Sequence, residues 1–166
     1  LGEFAEVSAR VTTRITMWKH EVTGADFPVD APDTVTAAGV LRSGAEVAYQ
    51  VASVPQNASG ICLEIYGSKG TLVLTSKSLN IGPTKLHMAV GSGNLAEVTP
   101  PARYTVIPAD LAAGPGRNVA QAYARFASAL QSGKTDAPAF SDAIVRHTLI
   151  DAMERSHRDG KVIKLA

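Results

Sequence analysis

Residues 61 to 75, Ile-Cys-Leu-Glu-Ile-Tyr-Gly-Ser-Lys-Gly-Thr-Leu-Val-Leu-Thr, constrain this chain more than any other stretch. Ile61, Leu63 and Ile65 alternate with Cys62, Glu64 and Tyr66, and Leu72 and Leu74 alternate with Thr71, Val73 and Thr75. A period of two in β-branched and aromatic residues predicts strands, and Gly67 and Gly70 punctuate them. Two registers are open. A two-residue turn at Ser68-Lys69 pairs Ile65 with Leu72 and Leu63 with Leu74, which gives one continuous apolar face. A type I turn with a glycine bulge puts Val73 opposite Ile65 instead. Ser and Lys disfavour φ > 0 whereas Gly70 accepts it, so the turn chemistry favours the bulge. A slip of one residue changes which side chains share a face, so the register decides what this hairpin can cover.

The sequence before the hairpin reads as more sheet. Over residues 3–16, Ala5, Val7, Ala9, Val11 and Ile15 share one parity, and Glu6, Ser8, Arg10, Thr12 and Arg14 share the other. That is a long strand with one buried and one polar face. A strand at residue 1 needs a neighbour, which predicts that the sequence begins inside a larger protein. Residues 17–32 lose periodicity, and Gly24, Pro28 and Pro32 make them a loop of a length that is usually functional or mobile. The runs 34–42 and 46–54 flank Ser43-Gly44 and read as a hairpin with a two-residue turn. Val47, Tyr49 and Val51 occupy one face of its second strand, and Glu46, Ala48, Gln50 and Ala52 the other. The latter face is small and weakly polar, and another sheet covers such a face readily.

After Thr75, short strands are expected at 78–81 and 85–90, then a Gly/Pro-rich region to Gly116 with one more strand at 104–107. Two helices follow. Val119, Ala122, Tyr123, Phe126, Ala127 and Leu130 fall at helical spacing, Asn118 with Gln121 forms a capping-box pattern, and Gly133 is a stop. In the second helix Ser141 is the expected cap, with Phe140 and Val145 as a hydrophobic staple. Val145, Leu149, Ala152, Met153 and Ser156 share its apolar face, and Ile144 and Ile150 widen it, so burial on more than one side is expected. Gly160 ends this helix, and Val162-Ile163 can add a last strand. Strands followed by helices imply an α+β class: an open, mostly antiparallel sheet with helices on one face and the other face available for oligomerisation.

The length, 166 residues, is that of one domain with a real core, taken here as a single domain over residues 1–166. A net charge of +1, scattered Lys and Arg and 5% aromatics argue against a nucleic-acid or acidic-membrane partner. No apolar run approaches the roughly 20 residues of a membrane span. Cys62 is the only cysteine, which rules out an internal disulfide and a multi-cysteine zinc site and fits a reducing, cytoplasmic setting.

Several stretches invite chemistry. Gly91-Ser92-Gly93-Asn94-Leu95-Ala96 has the spacing of a dinucleotide fingerprint with Asp110 downstream, but Pro100-Pro101 would end the required helix after about one turn, so a turn is favoured. Gly67-Ser68-Lys69-Gly70 has no helix after it and reads as a hairpin turn rather than a phosphate nest. His147 and Asp151 are helix neighbours, read as a local pair. The sequon Asn57-Ala58-Ser59 stands without any sign of secretion. Ser8, Ser53 and Cys62 have no base placed near them by sequence, and His87 reads as surface. Trp18, Lys19, His20 and Asp33 cluster in or beside the long loop and are the candidate substrate-pocket residues, since loops on a rigid sheet often carry binding groups. Arg10 and Arg14 on the polar strand face could meet a partner's carboxylates.

Four stretches in order resemble one family. They are Leu1-Gly2-Glu3-Phe4-Ala5-Glu6-Val7-Ser8-Ala9, Asp33-Thr34-Val35 with Ser43-Gly44-Ala45, Glu64-Ile65-Tyr66-Gly67-Ser68-Lys69-Gly70-Thr71-Leu72, and Phe140-Ser141-Asp142-Ala143 with Leu149 to Ser156. Together they resemble the C-terminal domain of the glucose–fructose oxidoreductase / inositol dehydrogenase (Gfo/Idh/MocA) family. The resemblance implies a substrate-binding and oligomerisation domain of an NAD(P)-dependent oxidoreductase acting on a sugar, polyol or related hydroxyl compound. It implies a homodimer or tetramer through the free sheet face. The family's N-terminal Rossmann domain and its catalytic Lys, Asp and His motifs have no counterpart here. No catalytic, cofactor-binding or metal-binding residue is therefore assigned, and NAD or NADP is expected only in a longer parent enzyme. The rival expectations are a stand-alone, non-catalytic assembly or binding module of the same fold, and the C-terminal domain of another two-domain dehydrogenase or reductase.

Overall fold

The computed structural model describes residues 1–53, 57–78, 83–108, 110–111, 114–134 and 137–166. The long alternating run becomes strand β1 (Phe4–Thr12), with Val7 fully buried and Ser8 and Arg10 on the exposed side. Strand β1 ends at Thr12, short of the expected residue 16. The Asp33 carboxylate accepts the N–H groups of Arg14 and Ile15, which removes them from any ladder. The α+β class and the antiparallel pairing hold throughout. By contacts the chain divides into two compact units, Leu1–Gln56 with Ala139–Ala166, and Asn57–Pro138.

In the first unit β1 pairs with β4 (Thr34–Leu41) and β4 with β5 (Glu46–Ala52). With the terminal β10 (Ile163–Lys164), the sheet order is β10-β1-β4-β5. The turn between β4 and β5 differs from the two-residue form expected. The Leu41 N–H donates to the Ala45 carbonyl and the Gly44 N–H to the Leu41 carbonyl, so Arg42, Ser43 and Gly44 form a three-residue loop. Gly44 takes φ 85°, the left-handed conformation that closes a type I turn with a glycine bulge. The region expected to be an irregular loop contains a two-stranded ribbon, β2 (Met17–Lys19) and β3 (Asp26–Pro28), with Trp18 directly opposite Phe27.

Helix α2 (Phe140–Asp159) covers one face of this sheet. Val7, Ala37, Ala152 and Met153 form the buried cluster, with Phe4, Tyr49, Leu149 and Ile163 packed around it. The Tyr49 hydroxyl donates to Met153 Sδ at 2.8 Å, and the Phe4 ring meets Tyr49 edge-on at 6.5 Å. The helix starts before the expected cap: Asp142 Oδ2 accepts the Ala139 N–H at 2.7 Å, which makes Ala139 the N-cap. Phe140 is 93% exposed, so no staple forms. Ile144 and Ile150 are also exposed, and α2 is buried on a single side rather than several. Gly160 ends it at φ 63°, as its position predicts.

Ser156 joins three elements. Strand β10 pairs with β1 only at Glu6–Lys164 and Val7–Ile163. Continuing that ladder would bring the Ala9 N–H to the Lys161 carbonyl. Instead the Ser156 hydroxyl stands between them, accepting the Ala9 N–H at 2.9 Å and donating to Lys161 at 2.7 Å. At 3% exposure this hydroxyl takes the place of a ladder bond.

In the second unit β6 (Ile61–Gly67), β7 (Gly70–Ser76), β8 (Thr84–Val90) and β9 (Ala96–Glu97) form an antiparallel sheet in that order. The hairpin register is the one with Ile65 opposite Leu72, Leu63 opposite Leu74 and Gly67 opposite Gly70, not the bulged one favoured above. Ser68 and Lys69 keep negative φ, and Gly70 absorbs the distortion at φ 157° without shifting the ladder. A Cβ on Gly70 would lie 2.1 Å from the Ala89 carbonyl oxygen, so the third strand also requires glycine there. The strand expected at 78–81 falls mainly outside the described residues. No strand forms at 104–107: a 3₁₀ turn spans Ala102–Tyr104, and the Gln121 side chain accepts the Val106 N–H and donates to the Tyr104 carbonyl. Gln121 comes from α1 (Pro115–Ser132), which starts on Pro115, three residues before the expected Asn118 cap. Gly133 stops α1 at φ 68°, as expected. Among the described residues no helix is long and apolar enough to cross a membrane.

Replacing Ser156 by Ala removes the hydroxyl partner of the half-buried Ala9 N–H and of the Lys161 carbonyl. The expected cost is about 1–3 kcal/mol, read as a lower urea midpoint with an unchanged m-value. A midpoint equal to that of the parent would show that the hydroxyl bridge contributes nothing.

Candidate functional site

Asp33 sits at the start of β4 and organises the backbone around it. Its Oδ2 accepts the N–H of Arg14 at 2.8 Å and of Ile15 at 2.9 Å, and its Oδ1 accepts the Thr34 hydroxyl at 2.8 Å. Its own N–H donates to the Thr12 carbonyl, and its carbonyl accepts the Ser53 N–H. The Ile15 N–H is the main cause that holds this carboxyl below its ordinary value, with Thr34 and Arg14 adding to it against a smaller opposing effect of burial. All these contacts are to local backbone and a neighbouring hydroxyl, so the carboxylate pins the exit of β1 to the entry of β4.

Trp18, Lys19 and His20 belong to the β2–β3 ribbon. The Lys19 Nζ pairs with Asp26 Oδ1 at 2.9 Å, an exposed cross-strand ion pair. His20 Nδ1 accepts the Thr23 N–H at 3.2 Å, and the ribbon turn closes with Gly24 at φ 68°. Trp18 and Phe27, paired across the strands, lie on one ribbon face and are 59% and 62% exposed. Among the described residues no hydrogen bond or ion pair joins Asp33 to these three. The four candidates thus divide into an aromatic ribbon and a backbone anchor.

A second feature lies on the face of the first sheet opposite α2. The exposed sides of β1, β4 and β5 enclose a shallow depression of about 500 Å³. Ala38 and Ala48 line it with Ser8, Thr36, Gln50 and Arg10. The Arg10 side chain is exposed and makes no ion pair among the described residues. Sequence parity placed Ser8, Arg10, Ala48 and Gln50 on polar faces. The depression itself depends on three strands coming side by side, and the cluster of small residues at Ala38 and Ala48 was its only signal.

The remaining motifs take structural roles. Asp151 pairs with Arg155 at 3.4 Å, not with His147. Residues 91–96 open no helix; Gly91 takes φ 58° and Ala96 begins β9. Tyr66 donates to Glu64 Oε2 at 2.8 Å, and that bond is the main cause raising its phenol pKa. Cys62 is exposed and unpaired. Among the described residues no three His, Cys, Asp or Glu side chains are grouped to hold a metal. What the described geometry offers is recognition: an aromatic ribbon and a small-residue depression edged by a guanidinium.

A family profile described as "Oxidoreductase family, C-terminal alpha/beta domain" matches residues 1–165. An uncharacterized oxidoreductase of Synechocystis sp. is 28% identical over 135 residues, 80% of this chain and 36% of that protein. Levoglucosan dehydrogenase in its apo form superposes with a TM-score of 0.82 at 22% identity, over 100% of this chain and 47% of that one. Its complex with NADH and L-sorbose gives a TM-score of 0.79 at 22% identity, over 100% and 46%. A super-repressor mutant of Gal80p from Saccharomyces cerevisiae gives 0.75 at 16% identity, over 99% and 45%. The chain therefore spans less than half the length of these relatives, and the structural likenesses establish the fold.

The Asp33 carboxyl has a lowered folded-state pKa, so its contribution to stability is complete above the ordinary value of 3.8 and is lost as pH falls through the lower folded value. Asp33→Asn is expected to lower stability near neutral pH, with the gap to the parent narrowing only on the acid side of about pH 4. Urea midpoints from pH 2.5 to 7 check this; a gap independent of pH would remove the ionised carboxylate from the account.

Proposed function

Because the chain belongs to the Gfo/Idh/MocA oxidoreductase family as its C-terminal alpha/beta domain, we propose that it is the substrate-binding and oligomerisation domain of an NAD(P)-dependent oxidoreductase. The match over residues 1–165 is the observation that carries this reading. The substrate is a sugar, polyol or related hydroxyl compound; levoglucosan dehydrogenase, solved with NADH and L-sorbose, supports that class. Trp18, Lys19, His20 and Asp33 contribute one wall of the substrate pocket. Hydride transfer needs a nicotinamide held against the substrate, and the residues that would do so belong to the part of the relatives this chain does not span. The one Gly-x-Gly-x-x-Ala run is followed by a strand, which leaves no helix N-terminus for a pyrophosphate.

Copies of the chain associate into a homodimer or tetramer through the open face of the first sheet, which carries the small and weakly polar Ala48, Gln50 and Ala52. The setting is cytoplasmic, in keeping with the single unpaired Cys62. A non-catalytic binding module is the second reading, and Gal80p, whose solved form is called a super-repressor, supports it: the same fold occurs in a protein that acts by repression.

The coding sequence upstream of Leu1 separates the two. A glycine-rich nucleotide-binding turn and a Glu-Lys-Pro segment there are expected; unrelated sequence would favour the binding module. The chain of residues 1–166 alone is expected to bind no nicotinamide cofactor, and saturable quenching of its fluorescence by NADH would overturn that. Sedimentation equilibrium is expected to show a dimer or larger species, and a monomer at high concentration would count against the sheet-face contact.

A further inference from the structure

Helix α1 is turned inside out. Val119, Tyr123, Phe126 and Leu130 recur at spacings of four, three and four, so they form one stripe along it. Each is more than half exposed, and no residue of the helix is fully buried. The side that meets the rest of the unit carries Arg117, Gln121, Ala124 and Arg125, all half-buried. There Gln121 holds the Val106 N–H and the Tyr104 carbonyl, and Arg117 donates to the Leu111 carbonyl at 2.7 Å. An amphipathic helix on a finished surface turns its large apolar residues inward and its polar ones to water. In α1 the arrangement is reversed.

The stripe has the makeup of a permanent contact. Its four side chains expose on the order of 400 Å² of contiguous apolar surface, as much as the largest patch on a typical monomer. Ala122 and Ala129 flank it on one side and Ala120 and Ala127 on the other. Such small flanks let another backbone come close, at an axis separation of about 8–10 Å for a helix. Arg117 and Arg125 are the only charged residues in α1, and both lie on its inner side. A face with no charge to steer a passing partner suits an occupant that is always there. The relatives have one to offer. This chain matches 47% of levoglucosan dehydrogenase and 45% of Gal80p, so each of those proteins keeps a further half beside this domain.

Resting on the proposed parent oxidoreductase, we infer that the Val119–Tyr123–Phe126–Leu130 stripe is the surface on which the parent's nucleotide-binding half packs. Two domains of one chain share roughly 600–1,500 Å², and the stripe supplies a large part of this domain's side of such a contact. Covalent linkage keeps the other half at high effective concentration, so an apolar face without charge pairs is enough to hold it. The contact reaches the Ala102–Tyr104 turn through α1, because Gln121 ties that segment to the inner side of the same helix.

The test compares the chain of residues 1–166 with the full protein that its gene encodes. In a Cys62→Ser background, Tyr123→Cys and Leu130→Cys place a thiol on the stripe, and Ser128→Cys places one on α1 away from it. Maleimide should label all three readily in the chain of residues 1–166. In the full protein the thiols at 123 and 130 should react at least about tenfold more slowly, with the rate at 128 unchanged. Hydrogen exchange on the two unsubstituted proteins gives the same comparison without a variant, and the α1 amides should slow by a similar factor in the full protein. Equal rates at 123 and 130 in a full protein that binds NADH would overturn the α1 contact and leave the oxidoreductase reading standing. Protection that grows with concentration in the chain of residues 1–166 would give the stripe to a second copy and overturn the contact too. A gene with no nucleotide-binding half would overturn both readings.

Discussion

The first unit depends on a hydroxyl placed where a strand ends too soon. Strand β10 is two residues long, and β1 continues past it with an N–H at Ala9 that needs an acceptor. The Ser156 hydroxyl supplies the acceptor and donates its own O–H to the Lys161 carbonyl. An amide left without a partner in this half-buried position would cost stability, and the buried Ser156 hydroxyl avoids that cost. It fixes the depth and rotation of α2 on the sheet, and with them the positions of Ala152 and Met153 against Val7 and Ala37. The opposite face of the sheet is left open as a consequence, because a single helix covers only one side.

A second constraint of the same kind acts at the other end of β1. Asp33 takes the N–H groups of Arg14 and Ile15 and stops the strand there. The chain that would have continued the sheet folds instead into the β2–β3 ribbon. One carboxylate thus separates a covered scaffold from an exposed aromatic element, and the element exposed is one the chain could use for recognition. In both places a side chain substitutes for a ladder partner, and in both the substitution decides where regular pairing ends.

Much of this was legible in the residues. Parity assigned Val7, Ala9, Tyr49 and the Ala48–Gln50 side of the first sheet correctly, and helical spacing found the Ala152–Met153–Ser156 face of α2. Gly133 and Gly160 marked helix ends because αL glycine is a local property. The family was also legible, through four short stretches in order. Less was legible at the turns. Gly44 and Gly70 both tolerate φ > 0, and local chemistry gave no means of telling which hairpin carried the bulge. In the event it lies at Gly44, while β8 pairs along Gly70 and holds the Ser68–Lys69 turn in regular register.

What the sequence determined by itself was therefore periodic or local: which residues share a face, where a helix stops, that the class is α+β, and which family the chain resembles. Tertiary structure decided whatever required two distant groups to meet. That Asp33 anchors the backbone of Arg14 and Ile15, and that Gln121 holds residues 104–106 rather than capping its own helix, turned on partners 15 to 19 positions away. Ser156 meets Ala9 across 147 positions. The depression beside Arg10 exists only because three strands lie side by side. The physical reason is common to all of these: side-chain period and glycine dihedrals are set within a few residues, whereas hydrogen-bond satisfaction is settled over the whole folded chain.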